Sequence, residues 1–88
     1  MAGVYRINKD KVASRVINGE AVLLNLNSGF YYSLNKTGSE VWQYLQEGKA
    51  IDEIIALLNK IYSLDEKKLK KDVESLVNDL TKEELISK

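Results

Sequence analysis

The chain has neither cysteine nor histidine. That removes thiolate nucleophiles, imidazole bases and the usual zinc ligands together. Catalysis by carboxylates or lysine remains formally open, and we read the chain as a non-enzyme with no cofactor or metal. The residues best suited to chemistry are suited to recognition. The run Asn27-Ser28-Gly29-Phe30-Tyr31-Tyr32-Ser33-Leu34-Asn35 holds a strand without charge or proline, followed by a helix start at Lys36-Thr37-Gly38. Such a strand at a sheet edge offers unpaired backbone N–H and C=O groups to another chain, and natural edges are usually guarded by Lys, Pro or a bulge. A second feature is the basic run Glu66-Lys67-Lys68-Leu69-Lys70-Lys71, with Asp72 directly after it. Lysines at a helix start oppose the helix dipole. They suit phosphates, an acidic peptide or an acidic protein patch, and equally a solvated face.

Elements that position these residues follow from pattern. Val12–Ile17 reads as a strand, Asn18-Gly19 as a tight hairpin turn, and Glu20–Leu26 as a second strand. Its alternation puts Val22, Leu24 and Leu26 on one face and Ala21, Leu23 and Asn25 on the other. Asn27-Ser28-Gly29 is a second turn and Phe30–Leu34 the third strand, with Phe30, Tyr32 and Leu34 expected on the core face and Tyr31 and Ser33 opposite. In a meander the first and third strands are edges. Lys9, Asp10, Lys11 and Arg15 flank the first, so the third is the open one.

Asn35 or Thr37 is expected to cap a helix presenting Val41, Trp42 and Leu45 and ending near Gly48. Ile51, Ile54, Ile55, Leu58 and Ile61 or Tyr62 form the stripe of a second helix. Across Ser63-Leu64-Asp65-Glu66 the chain restarts: Ser63 with Glu66 has capping-box spacing, and Asp65 is an alternative cap. Leu69, Val73, Leu76, Val77 and Leu80 stripe the third helix, and Leu85 and Ile86 form an apolar tail. The expected fold is α+β: a winged helix-turn-helix with a three-stranded antiparallel sheet followed by three helices. Phe30, Leu34, Val41, Trp42 and Leu45 are expected in its core.

Composition agrees with one small domain over residues 1–88, with its core at about 5–86. With 44% hydrophobic and 30% charged residues it is an ordinary globular chain, burying about 60–65% of its unfolded surface. Lys plus Arg and Asp plus Glu each number 13, so long-range steering toward nucleic acid or anionic membrane is weak. No apolar run approaches the roughly 18–20 residues of a membrane span. The start, Met1-Ala2-Gly3-Val4-Tyr5-Arg6, lacks a secretory signal's apolar stretch. A cytoplasmic setting is expected.

Gly29-Phe30-Tyr31-Tyr32-Ser33-Leu34-Asn35, Thr37-Gly38, Val41-Trp42 and Gly48, with Glu53-Ile54, Tyr62, Asp72-Val73, Leu76 and Leu80 downstream, resemble the PqqD family (pyrroloquinoline quinone biosynthesis protein D). The resemblance covers roughly residues 5–86. Its chain departs from the family at Ala50, where many relatives have a capping Thr, and at Glu84, where a Gly often stands. The resemblance implies a peptide-recognition element for ribosomally made, post-translationally modified peptides. Family members hold the leader segment of a precursor peptide as an added strand, walled by the third helix. They deliver it to a modifying enzyme such as a radical-SAM enzyme or a leader protease.

On that reading the leader pairs along Gly29–Asn35. Phe30, Tyr31, Tyr32, Ser33 and Leu34 come from the strand; Leu69, Asp72, Val73 and Leu76 face the peptide from the third helix; Lys68 is a rim contact. Tyr31 and Tyr32 are either groove floor or ordinary strand residues. Asp72 is a peptide contact or a solvated partner of Lys68 at i−4. Expected affinity is about −8 to −9 kcal/mol. The rival from another class is a winged-helix DNA-binding regulator, disfavoured by a third helix without Arg and by the neutral whole. A third reading is a homodimer paired through the same edge. If Val4-Tyr5-Arg6-Ile7 curls back onto the third strand, the edge is closed in the free protein.

Overall fold

In the computed structural model, which describes residues 3–63 and 65–88, Asn18 and Gly19 adopt φ of 54° and 82°. Two successive positive φ values make a turn whose twist matches that of the flanking strands. Val12–Ile17 (β2) and Glu20–Asn25 (β3) therefore pair antiparallel, from Val12↔Asn25 to Ile17↔Glu20. Tyr31–Ser33 (β4) pairs on the other side of β3, with Leu23↔Tyr32 at its centre, giving the order β2-β3-β4. Three helices follow: Lys36–Gln46 (α1), Ile51–Tyr62 (α2) and Glu66–Lys82 (α3). The expected three-stranded sheet followed by three helices is thus the observed architecture.

Arg6–Ile7 (β1) and Ile86–Ser87 (β5) form a separate two-stranded pair, Arg6↔Ser87 and Ile7↔Ile86. Two-residue strands carry no periodicity, so the sequence does not announce them. Their pairing answers an open question: the N-terminal segment clasps the C-terminal tail and leaves β4 uncovered. Leu85 and Ile86 are fully buried, as the apolar tail required.

Buried on the sheet are Val12, Ala21 and Leu23, against Val41, Trp42 and Leu45 of α1, Ile54, Ile55 and Leu58 of α2, and Leu69, Val73, Val77 and Leu80 of α3. β3 thus turns its Ala21-Leu23-Asn25 face inward. Tyr32 and Leu34 pack partly against this core, but Phe30 does not. Its expected core placement is corrected: Phe30 is 67% exposed, lying before β4 at the turn, where its side chain packs on none of the core.

Helix ends show local chemistry at work. Asn35 caps α1 by accepting from Gly38 N at 2.8 Å. Asp65, not Ser63, caps α3, accepting from Lys67 N at 3.0 Å. Ser63 is instead the left-handed C-cap of α2, with φ 51° and its N–H bonded to Asn59 O, so it does not open the next helix. Met1, Ala2 and Leu64, named above at the N-terminus and in this turn, lie outside the described residues.

Candidate functional site

β4 owes its open edge to the antiparallel hydrogen-bond pattern. Asn25 N donates to Phe30 O and Leu34 N to Ala21 O, both at 2.9 Å. Phe30, Tyr32 and Leu34 therefore turn their backbone groups toward β3. The N–H and C=O of the alternate residues, Tyr31 and Ser33, point away. Among the described residues nothing pairs with that side of β4. The ladder ends at Leu34 because Ser39 intervenes. Its Oγ accepts from Ala21 N at 2.7 Å and donates to Leu34 O at 3.2 Å, filling the place of the next rung. The chain then leaves the sheet for α1, and the groove opens beside this exit.

That groove, about 470 Å³, is lined by Ser33, Leu34 and Asn35 at the strand exit, Thr37, Gly38 and Val41 of α1, and Leu69, Asp72, Val73 and Leu76 of α3. Its apolar floor is continuous with the core through Val41, Leu69 and Val73. Gly38 keeps it open at the α1 wall: a Cβ there would meet Leu76 Cδ2 at 3.6 Å and Leu34 Cβ at 3.4 Å. The one charged side chain in the lining is Asp72, and among the described residues it makes no ion pair with Lys68. The arrangement suits an extended peptide bonded to Tyr31 and Ser33, inserting an apolar side chain and placing a basic one near Asp72.

Of the residues expected to face a peptide, the structure brings Ser33, Leu34, Leu69, Asp72, Val73 and Leu76 together in the lining of one groove. Phe30, Tyr31, Tyr32 and Lys68 are not in the lining. Tyr31 is 70% exposed and paired with Leu24, so its ring lies on the outer sheet face while its backbone stays on the open edge. Tyr32 points the other way, and its hydroxyl donates to Glu83 Oε1. That carboxylate, with burial and its charge, holds the phenol above its ordinary value. Lys68 is exposed on α3. Asn35 was expected only as the end of the paired stretch, and sequence reasoning missed Thr37, Gly38 and Val41 as groove residues. A glycine inside the first turn of a helix, where no turn demands it, was the available signal for a close approach.

Among the described residues there is no group of His, Cys, Asp or Glu arranged to hold a metal ion, and no helix long and apolar enough to cross a membrane.

The family described as Coenzyme PQQ synthesis protein D (PqqD) matches residues 20–86. No curated protein matches the chain. Among solved structures, TbiB1 in complex with the TbiA(beta) leader peptide is 36% identical, with a TM-score of 0.83 over 92% of this chain and 93% of that one. A lasso peptide synthetase B1 complexed with the leader peptide has a TM-score of 0.85 over 98% of this chain and 100% of that one. Its identity is 22%, so the likeness is one of fold.

Proposed function

The chain belongs to the PqqD family, and on that premise we propose that it binds the leader segment of a ribosomally synthesised precursor peptide and presents it to a peptide-modifying enzyme. The observation that carries this reading is the unpaired edge of β4 beside an apolar groove. The leader adds a strand through the N–H and C=O groups of Tyr31 and Ser33. Main-chain bonds supply sequence-tolerant affinity, and the groove between Leu34, Val41, Leu69 and Leu76 supplies selectivity. Support comes from TbiB1, 36% identical and solved with a leader peptide.

On this reading the protein is a non-enzymatic, single-domain peptide chaperone of the cytoplasm. The modifying enzyme is of a class such as a radical-SAM enzyme or leader protease. A disordered leader loses its chain entropy on docking, which holds the expected free energy to about −8 to −9 kcal/mol. Nothing in the fold or its likenesses favours the DNA-binding reading.

The test is an amide NMR titration with the leader half of a precursor encoded beside the gene, at low and high salt. Saturable shifts along Gly29–Asn35 and Leu69–Leu76, surviving high salt, are expected. Ser33→Pro should abolish them with the fold intact, because the N–H it removes does not face β3. Absence of shifts with several neighbouring leaders, together with salt-sensitive shifts at Lys67–Lys71 on adding duplex DNA, would overturn the reading.

A further inference from the structure

Through its central residue, Tyr32, β4 is tied to the far end of α3. Besides the Tyr32 hydroxyl, Glu83 Oε1 receives Asn25 Nδ2 at 3.3 Å, and the same amide reaches the Glu83 carbonyl at 3.4 Å. Asn25 is only 5% exposed. Its Oδ1 accepts from Asn27 N at 2.9 Å and Ser28 N at 3.1 Å, so it also holds the turn that delivers the chain to β4. Among the described residues no other hydrogen bond joins β4 to α3 or its C-cap. Glu83 is that C-cap, its N–H bonded to Asp79 O. It stands seven residues from the groove residue Leu76, about 10 Å along a rigid helix. On the strand side, Ser33 and Leu34 directly follow Tyr32.

We infer that Glu83 is a positioning residue for the groove. By tying Tyr32 and Asn25 to the end of α3, it fixes the separation of β4 and α3, and so the size of peptide side chain that the groove accepts. The inference rests on the groove being the leader site. A carboxylate serves here because one oxygen accepts from both the phenol and the amide, a junction that no apolar pair supplies with the same directionality. The raised pKa of Tyr32 agrees with a neutral phenol donating to that carboxylate.

The test compares Tyr32→Phe, Glu83→Ala, Glu83→Gln and the double variant Y32F/E83A. Each is titrated with the leader and with leaders carrying Ala, Leu or Trp at the anchor position, alongside thermal melts. Y32F and E83A should bind the leader about tenfold more weakly and discriminate less between anchor sizes. E83Q keeps an acceptor oxygen and should stay within about threefold of the parent. The double variant should be no weaker than E83A alone, because the two residues act through one contact. If E83A does not fold, Y32F, which keeps the ring, carries the comparison. Unchanged affinity and anchor selectivity in Y32F and E83A would overturn the inference. Should the parent bind no leader, the leader reading fails by itself. Positioning is then judged in the free protein, where Y32F must shift the Gly38 amide and Leu76 methyl resonances; unmoved resonances would overturn it.

Discussion

At Gly38 an added methyl would lie 3.2 Å from Asn35 Oδ1, the atom that caps α1, and would fill groove space in van der Waals contact with Leu34 and Leu76. Alanine gains about 1 kcal/mol of helix propensity over glycine, and crowding of the cap offsets it. Gly38→Ala should therefore change stability by less than about 1 kcal/mol while weakening leader binding, a split that denaturant melts and a titration separate. Glu84 presents the opposite case. It holds φ of 63° just after α3, where a side chain is strained and glycine is not. Its Lys11 partner at 3.1 Å is solvent-exposed and contributes little. Glu84→Gly should raise stability by about 0.5–1 kcal/mol in urea melts. This departure from the family pattern was legible in the sequence; its cost became visible only with the backbone angle.

Among the elements, α2 starts least well. Its N-cap Ala50 makes no side-chain bond, although Gly3 O receives Ile51 N at 3.1 Å and Asp52 and Glu53 favour the positive end of the helix. Ala50→Thr should add about 1 kcal/mol to stability, measured by the shift of the urea midpoint at constant slope. Helices were readable because their apolar stripes repeat at the helical period, and α1 and α3 also carry candidate caps at their starts. Where Ser63 and Asp65 competed as caps, sequence left both open. Ser63 lost because closing α2 requires the left-handed conformation that opening α3 forbids. β1 and β5 were invisible for another reason: their register joins Arg6 to Ser87, across nearly the whole chain.

For the molecule as a whole, Tyr32 links alkaline stability to the groove. Its phenol titrates above the ordinary 10.0 when folded, so the unfolded chain loses that proton first. The Tyr32 contribution should be constant below about pH 10 and fall as pH rises through the folded value. Equilibrium unfolding from pH 8 to 11 should show this loss, and Tyr32→Phe should make that part of the profile shallower. Zero net charge and one carboxylate in the groove also imply that leader binding responds weakly to salt.

By itself the sequence determined the three-stranded sheet, the helices and the uncharged third strand that the fold leaves open, because turn residues and apolar periods act over a few neighbours. Only the tertiary structure decided what the open strand faces. Phe30 left the core, Tyr32 met Glu83, and Gly38 and Val41 joined the groove. Whether the N-terminal segment covers the edge was settled by a clasp to the other end of the chain. Tyr32 and Glu83 meet across 51 residues. Such contacts follow from how packed elements stand against one another, which no local pattern of residue types encodes.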